Sequence, residues 1–229
     1  MDIVALRNHL EAMNPIHDSV GPPGFDLGTA KAVLSALDGI AYLVDPAGVI
    51  LAVGEKPWAD FATTNGAPGL GSRNVVGRSM LSFIAGRELR EIYRRFVESV
   101  ASGSREVIGF RYRCDSPNRR RDVKLNIAPV RLGGEFVAVL MHNQILDERE
   151  RPPIDLFDTA SVLAAVKRDA NLPLVVVCSV CNRVAMGEEV QRAWIEPETY
   201  YAMGGLADVR VSHGLCPWCH DALEGELVA

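Results

Sequence analysis

The sequence predicts an α+β protein in two parts: an antiparallel sheet with flanking helices, then a small C-terminal domain built around cysteines. Three observations carry this. From Asp38 the apolar pattern is that of a strand pair, short helices, one long amphipathic helix and three more strands, in that order. A charged and then proline-rich string, Leu146 to Pro153, reads as a linker. Beyond it, Cys178-Ser179-Val180-Cys181 and Cys216-Pro217-Trp218-Cys219 form two CxxC pairs separated by 34 residues. The divisions expected are an N-terminal helical segment over 1–36, the sheet domain over 37–146, a linker and helix over 147–170, and the cysteine domain over 171–229.

Composition sets the outer bounds. At 229 residues the chain fits one or two domains, and 48% hydrophobic residues suffice for a core. No apolar run approaches the roughly 20 residues of a membrane span, so no membrane role is expected. Met1-Asp2-Ile3-Val4-Ala5-Leu6-Arg7 has an early acid and no signal-peptide block, which points to a cytoplasmic protein. A net charge of −5 gives no general attraction to nucleic acid.

Taken in order, Asp2 to Met13 fits a short helix with Ile3, Leu6, Leu10 and Met13 on one side, ended by Asn14-Pro15. Gly21-Pro22-Pro23-Gly24 is a turn segment. A second helix is expected over Leu27–Leu37, with Ala30, Val33, Leu34 and Leu37 as its stripe. Gly39 to Val44 and Val49 to Val53 flank Asp45-Pro46-Ala47-Gly48, a turn string, and so form a hairpin. Short helices and loops follow through Asn74. A long helix over about Gly86 to Ser102 places Leu89, Ile92, Tyr93, Phe96 and Val100 at helical spacing. Ile108, Phe110, Tyr112 and Cys114 alternate along a strand, as do Val123, Leu125 and Ile127 along the next. A third strand is expected over Glu135 to His142, and a helix over Thr159 to Ala170, with Val162, Leu163 and Val166 apolar.

This succession of elements is the layout of a PAS domain. The residues that carry the resemblance are Leu37-Asp38-Gly39-Ile40, Val44-Asp45-Pro46-Ala47-Gly48-Val49-Ile50, and Val76-Gly77-Arg78-Ser79 before the long helix. Arg111-Tyr112-Arg113-Cys114-Asp115-Ser116-Pro117 resembles a proteobacterial PAS subgroup. The resemblance implies a cavity between sheet and long helix, and frequent dimerisation. Helix and strand phase nominates Phe83, Tyr93, Phe110, Tyr112 and Leu125 as its lining, with a fully packed core as the alternative. Two departures matter: Gly54-Glu55-Lys56-Pro57-Trp58 replaces the usual Asn after the second strand, and the long helix lacks the His of haem-binding relatives.

The four cysteines suit one tetrahedral Zn²⁺, because two tight turns each present a pair of thiolates. Closing the intervening loop costs about 3 kcal/mol of chain entropy, whereas a structural zinc supplies on the order of 10–16 kcal/mol. An interval of that length should hold a folded insert. A thiol redox switch that releases zinc on oxidation is the alternative. Disulfides suit a reducing compartment poorly, and the c-haem string in Cys216-Pro217-Trp218-Cys219-His220 would leave the first CxxC unused. Ser212-His213-Gly214-Leu215-Cys216-Pro217-Trp218-Cys219 is similar to an SHGxCPxC tail that follows sensor modules in bacterial signalling proteins. In such tails an apolar strand precedes the first CxxC, as Leu174 to Val177 does here, and a Trp opens a helical insert, a place Trp194 would take.

The remaining candidates are weaker. His213 and His220 flank the second CxxC, as ligand substitutes or as surface residues. His142 is expected to be structural, and Cys114 a small buried hydrophobe. Arg111, Arg113, Arg119, Arg120, Arg121 and Lys124 make the strongest positive field, either a solvated sheet edge or a surface for an anion or an acidic partner. The cysteine domain's excess of acids argues against a DNA-binding ribbon. No phosphate-binding loop, GxSxG, HExxH or kinase signature occurs, so no enzyme is expected. The reading is a PAS sensor or adaptor with structural zinc, working through a small ligand, a signalling-protein partner or a homodimer.

Overall fold

The computed structural model describes residues 25–67, 69–187 and 192–228. The helix expected over Asp2–Met13 lies outside them. Helix α1 (Leu27–Ala36) is capped by Asp26, whose carboxylate accepts from the Gly28 and Thr29 N–H groups. Strands β1 (Ile40–Val44) and β2 (Ile50–Val53) form the expected hairpin. Its turn is fixed by Asp45, whose Oδ1 accepts from Ala47 N at 2.9 Å and Val49 N at 2.8 Å. Helices α2 (Glu55–Thr64), α3 (Ser72–Val75) and α4 (Arg87–Ala101) follow, with a 3-10 turn over Met80–Phe83 before α4. Strands β3 (Ile108–Arg113), β4 (Arg119–Leu132) and β5 (Glu135–Glu150) complete an antiparallel sheet of order β2-β1-β5-β4-β3. That is the layout the PAS resemblance implies.

Period-two alternation gives the sheet two faces. Tyr42, Val44, Ile50, Leu125, Ile127, Val139 and Met141 face α2 to α4 and pack on Trp58, Phe83, Ile92 and Phe96. Ala41, Leu43, Ala52 and Ala138 face the other way, joined by Leu51 at the register shift between β1 and β2, and are covered by Leu34 of α1. The α1 stripe is therefore used within the chain: Leu34 is buried and Ala30 and Leu37 pack beside it, while Val33 remains 57% exposed.

One glycine is demanded by this packing. Gly39 enters β1 at φ +86°, and a Cβ there would lie 2.2 Å from the Asn143 carbonyl of β5. Gly39→Ala should lower stability by about 2 kcal/mol or more, read as a fall in the urea midpoint. A midpoint unchanged from wild type would mean that β5 gives way locally.

The sheet runs further than its composition suggests. β5 continues past His142 to Glu150, pairing Glu148 with Arg121 and Glu150 with Arg119 across β4. The segment expected to be a linker is thus a strand followed by packed turns. Ile154, just before a 3-10 turn over Asp155–Phe157, and Leu156, within it, enter the core of the cysteine domain.

That domain holds α5 (Thr159–Arg168), β6 (Leu174–Cys178), β7 (Val184–Met186), β8 (Ala193–Ile195), α6 (Pro197–Ala202), β9 (Arg210–Gly214) and α7 (Pro217–Val228). Its sheet has the order β8-β7-β6-β9, with β6 and β9 parallel. The interval between the CxxC pairs is a folded insert. Trp194 lies in strand β8 and not at the head of a helix; the short helix α6 begins after it, with Pro197 at its start. The two sheets share a core: Cys178, Val180, Cys216 and Leu223 belong to the same buried cluster as Phe96 and Leu125.

Candidate functional site

The four sulfurs converge because two different devices deliver them. Strand β6 ends at Cys178, and the chain reverses at once: Asn182 N donates to the Cys178 carbonyl at 2.9 Å and Cys178 N to the Arg183 carbonyl at 2.8 Å. Asn182 takes φ 60°, a left-handed value that Asn tolerates better than most residues. Strand β9 runs parallel to β6 and carries Gly214 alongside Cys178, so Cys216 emerges beside it. Pro217 then starts α7, which brings Cys219 back by one helical turn.

The ligand atoms of Cys178, Cys181, Cys216 and Cys219 all lie within 4.8 Å of one another. Cys181 Sγ and Cys216 Sγ are 3.7 Å apart, close to the ~3.8 Å between sulfurs on a tetrahedral ion with bonds of about 2.3 Å. No disulfide joins them. Cys216 N donates to Cys178 Sγ at 3.4 Å. Hydrogen bonds from the Cys181 and Cys219 thiols hold the Cys178 sulfur well below its ordinary pKa, and Cys181 and Cys219 are pushed upward by that same neighbour. Thiolates this close repel one another, and a cation among them offsets that repulsion. Among the described residues this is the group that can hold a metal. Neither His213 nor His220 belongs to it. His220 instead reaches Glu88 of α4 at 3.6 Å.

A second feature adjoins the first. A cavity of about 50 Å³ lies between sheet and helices, walled by Tyr42, Trp58, Tyr93, Phe110, Tyr112 and Asn143 among others. Of the side chains nominated from sequence phase, Tyr93, Phe110 and Tyr112 line it; Phe83 and Leu125 are buried in the adjoining core instead. Cys114 is half-buried and also lines the cavity. His142 lies on the opposite face of β5 from Asn143, and its Nε2 contacts the Asp38 carbonyl at 2.6 Å. The wall that sequence reasoning misses is Ser179 and Val180, the two spacers of the first CxxC. Arg113 N donates to the Val180 carbonyl at 2.7 Å and holds that turn against β3.

Four members of the positive field, Arg113, Arg119, Arg120 and Arg121, form ion pairs within the chain. Arg113, with only 6% of its side chain exposed, reaches Asp115 and, at 2.6 Å, Glu196 of the cysteine domain. Arg120 and Arg183 approach the same Glu196, at 3.6 and 3.0 Å. Burial works against the Glu196 carboxylate, yet Arg183, Arg113 and Arg120 together hold its pKa below the ordinary value. Asp115, whose side chain is 0% exposed, also takes Arg151 at 2.9 Å. The acids these arginines meet are the chain's own: Asp115, Glu148 and Glu150 beside or within the first sheet, and Glu196 of the cysteine domain.

No family model and no curated protein matches the chain. Similar solved structures include the PAS domain of Bordetella pertussis BvgS, at 17% identity and TM-score 0.43 over 54% of this chain and 88% of that one. A C-terminal domain from Streptococcus mutans has 17% identity and TM-score 0.37 over 59% of this chain and 93% of its own. A domain of an HTR-like protein from Haloarcula marismortui has 16% identity and TM-score 0.31, covering 47% and 97%.

Proposed function

We propose that the chain is a PAS-type sensor or adaptor whose cavity is walled on one side by a structural zinc knuckle. The observation that carries this is the placement of Ser179 and Val180 between Cys178 and Cys181, two members of the clustered cysteine quartet, and against the cavity. Four thiolates on one ion favour zinc, and they fill its shell, leaving no open position for a reacting molecule. Output passes through protein contact. The outward Val33 of α1 supports a second copy of the chain as one such contact, since its neighbour Leu34 already serves the core. Val33→Asp should then turn a micromolar dimer into a monomer in sedimentation; a monomeric wild type excludes that contact.

The test of the main reading is metal analysis of the reduced protein. One zinc per chain is expected, retained through gel filtration. An ordered cysteine domain with no bound metal overturns it.

The spacing of the sulfurs also favours a second use. With peroxide as oxidant, two disulfides can form among the four, each passing two electrons to one peroxide and releasing water or hydroxide, with loss of the ion. Zinc released in proportion to peroxide, and regained after reduction, supports the switch; zinc held until the protein aggregates speaks against it.

A further inference from the structure

We infer that the outer face of strands β3 and β4 docks an acidic segment of a protein partner, whose carboxylates sit over Arg111 and Lys124. This adds to the proposed output through protein contact the chemistry of one such contact, and it stands whether or not the knuckle holds zinc.

The positive field of this sheet is mostly consumed. Arg113, Arg119, Arg120 and Arg121 each meet an acid of the chain. Arg111 and Lys124 do not: both are exposed, and neither has an ion-pair partner among the described residues. They are direct cross-strand partners in the β3–β4 register. Like charges in that relation repel and weaken the sheet. A glutamate at either position would turn the repulsion into attraction, so folding alone does not call for the cation pair. A carboxylate held between the two groups reverses the sign of the interaction, and the arginine fork can take it by two hydrogen bonds.

The outer face is divided. Leu34 of α1 covers Ala41, Leu43 and Ala138 on the side of β1 and β5. Beyond that cover, the neighbours of the pair are Gly109, Asn126 and Gln144, all half-buried. Gly109 has no side chain to rise beside Arg111. A Cβ there would meet Asn126 Oδ1 at 3.2 Å and Lys124 Cε at 3.9 Å, so the Asn126 amide and the Lys124 stem floor a shallow, open cup.

Shape and charge then choose the occupant. Neither cation lines the cavity, so a free anion would be held by two exposed groups alone, and such pairs contribute little singly. A folded partner adds the surface around them. Nucleic acid suits the face poorly. Two residues along β4, about 7 Å away, Asp122 lies opposite Asp147 of β5, and the next phosphates of a strand would meet these acids. Gly109, Asn126 and Gln144 also offer no ring on which a base could stack. A protein segment can place carboxylates over the cations and a base or polar group over the acids.

The experiment uses the full chain as purified, with a hexaglutamate peptide as probe and a thymidine hexamer as its nucleic-acid counterpart. Backbone amides are followed by NMR at low salt and again at about 150 mM. Hexaglutamate should shift Arg111, Lys124 and Asn126 saturably, with affinity falling as salt rises. Arg111→Gln and Lys124→Gln should each weaken binding about twofold to fivefold. Lys124→Glu should abolish it and at the same time raise the urea midpoint, because the cross-strand pair becomes attractive. That joint result separates a binding role from a structural one. Arg73→Gln, at an exposed cation on α3, should change nothing. No saturable shift at these amides, wild-type binding by Lys124→Glu, an equal loss in Arg73→Gln, or tighter binding of the thymidine hexamer at the same amides overturns the inference. Zinc is measured in the same samples, so failure of the knuckle and failure of this site are read separately.

Discussion

Cys216→Ala is expected to release the metal and to destabilise both domains. A structural zinc contributes on the order of 10–16 kcal/mol through four ligands, so losing one thiolate should cost about 3 kcal/mol or more, on the order of a hundredfold in affinity. The loss does not stay local. Cys216 is fully buried in the cluster that holds Val180 and Leu223 against Phe96 and Leu125. Arg95 of α4 also meets Glu224 of α7 at 2.6 Å. Zinc content after dialysis against a chelator and the thermal midpoint should therefore fall together. A variant that loses zinc but keeps the wild-type midpoint would show that the shared core does not need the knuckle.

The second large effect belongs to Asp115→Asn. Asp115 is fully buried between Arg113 and Arg151 and also accepts from Arg121 N at 3.1 Å. Neutralising it leaves two nearly buried guanidinium groups short of a counter-charge, which costs about 3–5 kcal/mol in comparable sites. Arg113 keeps Glu196 and Arg151 keeps Glu198, so the lower end of that range is expected. A double-mutant cycle with Arg113→Met should give a coupling of about 1 kcal/mol or more. Additive losses in urea denaturation would mean that the pair contributes nothing of its own.

Sequence periodicity suffices for the elements whose apolar faces are continuous. α4 and β4 follow their 3.6 and 2.0 periods, and the Asp45-Pro46-Ala47-Gly48 turn has its local chemistry written in four residues. The quartet is legible too, since the CxxC spacing is itself the geometry. What escapes is non-local. The stretch from Ile145 to Glu150 is too charged to resemble a strand, and it becomes one because Arg119 and Arg121 lie across from its acids. Arg113 looks solvent-facing until Glu196, 83 residues away, is folded beside it. Ser179 and Val180 read as spacers, and nothing in their neighbours' identities says that a cavity wall will be made of them. The proline-rich string reads as a linker in the sequence, and its contacts are non-local too. Burial of Ile154 and Leu156 and the Asp115–Arg151 pair fasten that string to both sheets.

The central claim is that the sheet domain and the knuckle form one unit held by one metal. Hydrogen exchange of the zinc-loaded chain against the chelated chain tests it most directly. The account predicts that chelation raises exchange not only over 174–219 but also at Arg113, whose N–H donates to the Val180 carbonyl, and along α4 where it meets α7. Exchange that rises over 174–219 alone, with Arg113 and α4 as protected as before, would contradict it.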